Sequence, residues 1–266
     1  NMKIRKIWLI SFSPTRTSKS VIEAIASGIR DIPCESIDLT YPDTALEKRL
    51  AADELAIIGV PVYAGRVAPL AVERLAAIQG SSTPAVIVVT YGNREFEDAL
   101  IELRDVAEKA AFKPLAACTF IGEHSFSGAE TPIAADRPDS VDLAKAEEFG
   151  VKIVEKLAAV EDFGIATSLK VPGDVPYKKG MGALPFSPMV IQADCTQCEV
   201  CIPTCPAGAL SLDSKIEVDQ NLCIFCCACI KNCPEGAIKI DAAPIKEKRQ
   251  WLYENCVERK EPELYL

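Results

Sequence analysis

Residues 195–206 read CTQCEVCIPTCP, and residues 223–234 repeat the same cysteine pattern as CIFCCACIKNCP. Each copy has the spacing C-x2-C-x2-C-x3-C-P, with which bacterial proteins bind 4Fe-4S clusters through thiolates and give the fourth cysteine of each run to the other cluster. The pattern therefore predicts two clusters, and it predicts two half-units that have to fold together.

The two copies match beyond their cysteines. A shift of 28 residues, from 205 to 233, places CPAGALSLD on CPEGAIKID, which indicates a duplicated unit. Each half is predicted to hold a cluster loop, a short helical turn opened by proline, a glycine and a short strand, at Leu210–Leu212 and Ile238–Ile240. We expect residues 189–242 to form this two-cluster domain, which has seven acidic and three basic side chains, a net charge of −4.

Zinc and disulfides are the alternative uses of such cysteines, and both fit the pattern poorly. A tetrahedral zinc site takes four ligands and leaves no role for the third cysteine of each triplet or for the prolines. Disulfides need an oxidising compartment, and the first residues lack the charged, apolar and small-residue order of a secretory leader. We therefore expect a reducing, cytoplasmic setting.

Four cysteines stand outside the predicted ligand set. Cys34 and Cys118 lie in apolar, strand-like segments, so we predict that both are small buried hydrophobes. Cys227 adjoins Cys226, but only Cys226 keeps the x2 spacing, and we interpret Cys227 as a packing residue. Cys256 belongs to the carboxyl-terminal tail.

Composition limits the classes of function. The chain has 266 residues, 49% of them hydrophobic, which is enough for one medium and one small domain. Its 29 basic and 38 acidic residues give a net charge of −9, which argues against nucleic acid as a partner. No apolar run approaches the roughly 20 residues needed to span a bilayer, so we expect no membrane span.

The first 160 residues alternate short apolar runs with amphipathic stretches, as parallel α/β domains do. The predicted strands are Ile4–Ile10, Cys34–Leu39, Leu55–Val60, Ala85–Thr90 and Leu115–Ile121. The predicted helices are Ser18–Arg30, Thr44–Ala51, Pro69–Ile78, Phe96–Ala111 and Ser140–Val160. Near-continuous apolar strands imply burial on both faces, so we expect a doubly wound, five-stranded parallel sheet with helices on both sides.

Two further segments complete the predicted organisation. Residues 161–188 are rich in proline and glycine without sustained periodicity, and we predict a linker. Residues 243–266 form a tail with a predicted helix at Lys246–Cys256, which could dock on the body of the chain or on a second subunit of a homo-oligomer.

In an open sheet of this kind, ligands bind beyond the carboxyl ends of the strands, at the loops after strands one, three and four. The first of these loops, SFSPTRTSKSV (11–21), crowds hydroxyl groups ahead of a helix, where backbone N–H groups can bind a phosphate. The other two, GVPVYAGRVAP (59–69) and TYGNREFEDAL (90–100), each place a tyrosine and a glycine at the mouth of the sheet. Tyr63 and Tyr91 could lie on a planar ring, or could pack half-buried at a strand end.

The first loop resembles the flavodoxin phosphate loop, T/S-x-T/S-G-x-T/S, through Ser13, Thr15 and Ser18. It departs from that pattern at Arg16, where the family has glycine, so that either the turn is reshaped or the guanidinium approaches the phosphate. With GEHSFS (122–127), DRPD (136–139) and the cysteine runs, the chain resembles fusions of a flavodoxin with a two-cluster bacterial ferredoxin, found chiefly in anaerobes.

The resemblance implies two 4Fe-4S clusters and an FMN in residues 1–160. One cluster would be held by Cys195, Cys198, Cys201 and Cys233, and the other by Cys223, Cys226, Cys229 and Cys205. The implied contacts of the FMN phosphate are Ser11, Ser13, Pro14, Thr15, Arg16, Thr17 and Ser18. The implied contacts of the two sides of the flavin are Pro61, Val62, Tyr63, Ala64 and Gly65, and Thr90, Tyr91, Gly92, Asn93 and Arg94.

His124, the one histidine, follows the fifth strand at the same edge, and we include it among the flavin contacts beside the alternative of a structural hydrogen bond. Arg66 and Arg94 could favour electron uptake by the flavin, or could be solvated loop residues.

These features favour an electron-transfer flavo-iron-sulfur protein that relays electrons between two clusters, FMN and an external redox partner protein. An alternative is a ferredoxin-fed or NAD(P)H-fed reductase of a small organic acceptor, although no dinucleotide fingerprint is visible. A third hypothesis is a redox sensor whose cluster state alters binding by the tail.

Overall fold

The computed structural model describes residues 4–42, 47–159, 168–182 and 184–266. In chain order its strands are β1 Lys6–Ser11, β2 Cys34–Asp38, β3 Lys48–Arg49, β4 Glu54–Tyr63, β5 Arg66–Val67, β6 Ile78–Gln79, β7 Thr83–Tyr91, β8 Phe112–Ile121, β9 Met189–Val190, β10 Leu210–Leu212, β11 Ile216–Val218, β12 Ile238–Lys239 and β13 Glu263–Tyr265. Its helices are α1 Thr17–Gly28, α2 Pro69–Leu75, α3 Ala99–Lys109, α4 Ser140–Ala159, α5 Ala228–Lys231 and α6 Ala243–Asn255.

Five long strands form the centre of the main sheet, in the parallel order β2-β1-β4-β7-β8. This is the flavodoxin-like order of a doubly wound sheet, so the predicted fold class is confirmed. All nine residues of β7 are buried, as its continuous apolar sequence requires. The five strands begin and end within a few residues of their predicted bounds.

Helices cover both faces of the sheet. Buried side chains of α1 and α4 pack on one face, around Ile22 and Phe149. Those of α2 and α3 pack on the other, around Leu75 and Leu100. The α1 helix is therefore held with its amino end at the carboxyl edge of β1, where the hydroxyl-rich loop lies.

The sheet is larger than the expected five strands, because two further strands join it antiparallel. The short β5 pairs with the end of β4. The tail strand β13 pairs with β8, with Leu264 opposite Cys118, and so covers an edge that would otherwise be open. The tail therefore docks on its own chain.

Two predictions in this region are wrong. The predicted helix Thr44–Ala51 lies partly outside the described residues, and within them Lys48–Arg49 is extended and pairs with Ile78–Gln79. Cys34 is exposed, because it opens the edge strand β2, whose first three residues are all exposed. Cys118, in the inner strand β8, is fully buried as predicted.

The cysteine-rich segment folds beside the sheet as two small two-stranded sheets, of which β10–β11 is a hairpin and β9–β12 joins the two ends of the segment. Strand β10 pairs with β11, and β12 pairs with β9, all antiparallel. The predicted helical turns at Pro206 and Pro234 are non-helical turns. Three contacts join the segment to the sheet: Arg74 Nη2 donates to the Pro206 carbonyl at 2.6 Å, Lys231 pairs with Glu123 at 2.8 Å, and Ile224 packs on the core.

A buried ion pair holds the start of α4. Asp142 is fully buried, and its carboxylate accepts two hydrogen bonds from Arg137, one of them at 2.7 Å. Arg137 is 8% exposed and also donates to the Lys260 carbonyl of the tail at 3.1 Å. This pair lies in the DRPD region of the sequence, and its burial gives that region a structural role.

We predict that Asp142→Ala lowers the free energy of unfolding by about 3–5 kcal/mol, because it leaves the Arg137 charge buried and unpaired. Glu261→Ala is the matched control: Glu261 is exposed and pairs with Lys145 and Arg259, so its loss should cost about 1 kcal/mol or less. Anaerobic urea unfolding followed by circular dichroism measures both. Equal losses in the two variants would contradict the prediction.

Candidate functional site

A cleft opens at the carboxyl edge of β1, β4, β7 and β8, and encloses about 470 Å³ including its mouth. Twelve of the predicted FMN contacts line it: Ser13, Pro14, Thr15, Thr17, Ser18, Pro61, Val62, Tyr63, Thr90, Tyr91, Gly92 and His124. Six do not: Ser11, Arg16, Ala64, Gly65, Asn93 and Arg94. The lining also includes Gly122, Glu123 and Ser125 of the GEHSFS segment, which are not among the predicted FMN contacts.

The loop between β1 and α1 offers donors to the cleft. Within the described residues, the backbone N–H groups of Thr15, Thr17 and Ser18 have no acceptor. The Thr15 and Thr17 hydroxyls lie 3.4 Å apart beside them. Such donors at the amino end of a helix suit a phosphate group.

Other hydroxyls of the same loop hold its shape. The Ser13 hydroxyl accepts from the Lys19 N–H at 3.1 Å, and the Ser13 N–H donates to the Thr40 hydroxyl at 2.9 Å. The Ser18 hydroxyl lies 2.6 Å from that of Thr90 in β7. These contacts join the phosphate-type loop to the loop after β7.

Arg16 keeps the turn in the form that a glycine would allow. Its φ is 65° and its ψ is −3°, in the left-handed region, and its N–H donates to the Ser13 carbonyl at 3.0 Å. The side chain is exposed and does not line the cleft. The geometry therefore favours neither a reshaped turn nor a guanidinium at the phosphate. Arg16 itself adopts the left-handed backbone that glycine would adopt more easily, so the turn keeps its shape.

The two tyrosines occupy different surroundings. Tyr91 is 4% exposed, and its ring meets that of Phe96 edge-on at 5.5 Å. Tyr63 is half-buried at the end of β4, opposite Arg66. Both rings line the cleft, where a planar group would find aromatic and backbone surface.

Three polar residues of the loops are engaged elsewhere. The Asn93 side-chain amide donates to the carbonyls of Cys256 and Glu258 in the tail, at 2.7 and 2.9 Å. Arg94 pairs with Glu97 at 2.8 Å. Arg66 makes a two-pronged pair with Glu102, at 2.6 and 2.8 Å.

Three other residues also lie outside the cleft lining for structural reasons. Ala64 and Gly65 form the turn between β4 and β5, where their φ values are 53° and 81°. A Cβ on Gly65 would lie 1.7 Å from Glu97, so the turn needs glycine there. Ser11 is the buried last residue of β1.

His124 forms one wall of the cleft as a neutral imidazole. Its Nδ1 accepts the Phe126 N–H at 3.0 Å, which places the proton on Nε2. Burial, reinforced by the positive charges of Arg94, Lys231 and Lys248, lowers the pKa of His124 to about 4. A Cβ on Gly92 would lie 2.3 Å from the ring, so glycine is required for the imidazole to sit here.

The eight predicted cluster ligands fall into two sets. A cavity is lined by Cys195, Cys198, Cys201 and Cys233, which we call set I. Cys205, Cys223, Cys226 and Cys229 form set II. Burial raises the pKa of Cys226 to about 12, with further contributions from the sulfurs of Cys205 and Cys223, and the pKa of Cys229 rises for the same reasons. The fourth cysteine of each run thus lies with the other run.

The cluster loops have the same backbone in both copies. Gln197 and Glu199, on either side of Cys198, have φ values of 55° and 59°. Their equivalents Phe225 and Cys227 have 55° and 60°. Such alternation turns successive N–H groups inward around a negatively charged group.

Cys205 and Cys233, the cysteines that each copy gives to the other set, accept equivalent backbone hydrogen bonds. The Ala209 N–H donates to Cys205 Sγ at 3.2 Å, and the Ala237 N–H donates to Cys233 Sγ at 3.3 Å. Cys227 packs against Ile240 and Ile245, as predicted for a packing residue.

The donor sets fit the groups that the resemblance implies. Each set offers three thiols from one curled loop and a fourth from the other copy, which makes four, the ligand number of a 4Fe-4S cluster. No group of three or more His, Cys, Asp or Glu side chains in the described ranges is placed to hold a single metal ion. The cleft combines phosphate-type donors at one end with two aromatic rings along its walls, as FMN requires.

The two sets differ in exposure. In set I, Cys198 is exposed and only Cys201 is buried. In set II, Cys226 and Cys229 are both buried. Set II lies on the side of the segment that faces the sheet, since Ile224 of its loop packs in the sheet core together with Tyr63.

Comparison with protein families supports 4Fe-4S binding. A family model described as a 4Fe-4S binding domain matches residues 216–239, which include Cys223, Cys226, Cys229 and Cys233. A search of curated proteins finds no match. Among the helices that the structure describes, none combines the length and apolar character needed to cross a membrane.

Three solved structures are similar to the amino-terminal part of the chain. A flavodoxin from the Archaea is 15% identical, with a TM-score of 0.38 over 57% of this chain and 99% of that one. A Streptococcus pneumonia flavodoxin is 16% identical, with a TM-score of 0.40 over 58% and 98%. A flavodiiron core from Synechocystis is 16% identical, with a TM-score of 0.42 over 60% and 37%. The fold assignment rests on the strand order of the sheet itself.

The pKa of His124 gives a testable dependence of stability on pH. Because the unfolded imidazole takes up a proton near pH 6.5 and the folded one only near pH 4, the free energy of unfolding should fall as pH drops through this window. Between pH 7 and pH 5.5 the expected loss is about 1 kcal/mol.

His124→Asn should remove this loss, since the Asn amide oxygen can still accept the Phe126 N–H and has no proton to gain. Anaerobic urea unfolding measures the free energy of unfolding of both proteins at the two pH values. Because both proteins have the same carboxylates, their titration contributes equally and cancels in the comparison. Parallel losses in wild type and variant would show that His124 is not held neutral.

Proposed function

We propose that this chain is an electron-transfer flavo-iron-sulfur protein that relays electrons between two 4Fe-4S clusters, FMN and an external redox partner. The observation that carries the proposal is the placement of set II against Tyr63, a wall of the cleft. When bound, each cluster supplies one-electron chemistry and FMN supplies one- or two-electron chemistry. The chain's own residues supply ligands, position and surroundings.

In this proposal the chain consists of a flavin-binding domain (1–160), a linker (161–188), a two-cluster domain (189–242) and a tail (243–266). Thr15, Thr17 and Ser18 hold the FMN phosphate with their unpaired N–H groups. Tyr63 and Tyr91 bound the flavin ring, and the neutral His124 offers Nε2–H to it.

The two sets have different roles because their exposure differs. Set I faces solvent through Cys198, with Glu199 and Glu235 exposed at its rim, so an external partner with a basic surface can approach it. Set II has two buried cysteines and lies toward the sheet, so a cluster held there would exchange electrons within the chain. Water is kept from its sulfurs by Phe225 and Ile240, which pack beside Cys223.

Reduction of a small organic acceptor is a second candidate function. It is favoured by His124, a neutral imidazole that lines the cleft and holds its proton on Nε2, from which a proton could pass to an acceptor. Rapid, saturable turnover of one acceptor by the anaerobically reduced protein would support this function over a relay.

Cofactor analysis tests the relay proposal directly. We expect anaerobically purified protein to contain about eight irons and about one FMN per chain. Iron and acid-labile sulfide assays, with extraction of the flavin, measure this. Iron near two per chain, or absence of flavin from protein supplied with FMN, would reject it.

The crossed ligands give a second prediction. Cys205→Ala should alter the same electron paramagnetic resonance signal as Cys229→Ala, because both remove a ligand of set II. Cys233→Ala should alter the other signal, as Cys201→Ala does. If Cys205→Ala instead behaved like Cys201→Ala, each run would hold its own cluster and the crossing would be wrong.

A further inference from the structure

Tyr63 is the residue shared by the cleft and the surroundings of set II. Its ring lines the cleft at the carboxyl end of β4. It also lines a second cavity of about 1000 Å³, including the mouth, together with Cys223 and Ile224 of the set II loop. A side chain in both linings lies between the cleft and the loop that carries Cys223 of set II.

The Tyr63 hydroxyl is available as a hydrogen-bond donor. It bonds to no residue in the part of the chain that the structure describes. Its side chain shares the lining of the second cavity with Cys223, a member of set II. A hydroxyl with no partner, on a side chain that lines a cavity together with Cys223, is a donor available to an acceptor held at set II.

Tyr91 provides the contrast. It lines the same cleft, but its ring packs edge-on with Phe96, and its charged neighbours are Glu263, Glu95 and Arg137 rather than cysteines. Of the two cleft tyrosines, only Tyr63 therefore connects the flavin site to a cluster site.

We propose that Tyr63 is a positioning residue for the set II cluster, to which its hydroxyl donates a hydrogen bond while its ring separates that cluster from the flavin. The inference rests on the proposed function, since it needs both groups to be bound. Hydrogen bonds to the sulfurs of a cluster raise its reduction potential, because they stabilise the more negative reduced form. Tyr63 thus sets the potential of one cluster and leaves the other unchanged.

The test is a redox titration of the cofactor-loaded, full-length Tyr63→Phe protein, followed by electron paramagnetic resonance. We expect the signal assigned to set II by the Cys205→Ala variant to titrate at a lower potential than in wild type, and the set I signal to stay in place. Tyr91→Phe is the matched control and should move neither signal. A shift of both clusters, or of neither, would overturn the proposal.

Tyr63→Trp provides a second variant that keeps an aromatic ring and an N–H donor. It should keep the set II potential nearer to wild type than Tyr63→Phe does, and a shift as large as that of Tyr63→Phe would count against a hydrogen bond.

Iron and flavin are counted in every sample. Wild type without about eight irons or without FMN would defeat the proposed function, whereas full cofactor content with unmoved potentials would defeat only the role of Tyr63.

Discussion

The exchange of one cysteine between the two copies of the repeat is the constraint on which the rest of the structure depends. Cys205 lies with the second run and Cys233 lies with the first, so neither set is complete within its own copy. The segment from 195 to 233 must therefore close as one unit. The left-handed residues on either side of Cys198 and Cys226 give each loop the curl that this closure requires.

Once closed, the unit is fixed on the sheet by contacts that reach from one domain to the other. Arg74 donates to the Pro206 carbonyl, Lys231 pairs with Glu123, and the partly buried Ile224 packs against the sheet core. These contacts turn set II toward the cleft and leave set I toward solvent. The difference in exposure between the two sets follows from the apolar residues Ile224 and Phe225. Both lie in the second copy of the repeat, so the loop of set II is the one that packs against other apolar residues.

The sequence predicted the parts of this arrangement that depend on local pattern. The five inner strands were found because strands buried on both faces must be apolar throughout, and the cysteine sets because cluster binding fixes their spacing. Other parts depend on distant residues. Asn93 is among the predicted flavin contacts, and its side-chain amide donates to carbonyls 163 and 165 residues further along the chain, which no local pattern indicates. The strand Glu263–Tyr265 has three residues and no alternation, and only the open edge of β8 makes it a strand. Cys34 opens the edge strand Cys34–Asp38, whose sequence CESID is polar at its next two residues, and the first three residues of that strand are exposed.

The two sets have identical ligands and matching backbones, so any difference in their chemistry has to come from outside the repeat. The N–H donors at Cys205 and Cys233 are equivalent, at 3.2 and 3.3 Å. Burial penalises added negative charge, and it acts more strongly on set II, where both Cys226 and Cys229 are buried. In the proposed relay, burial alone would therefore make a cluster at set II harder to reduce than one at set I. A donor from the sheet domain, as proposed for Tyr63, would offset this penalty at set II only, and that would be a reason to join the two parts in one chain rather than have them act as separate carriers.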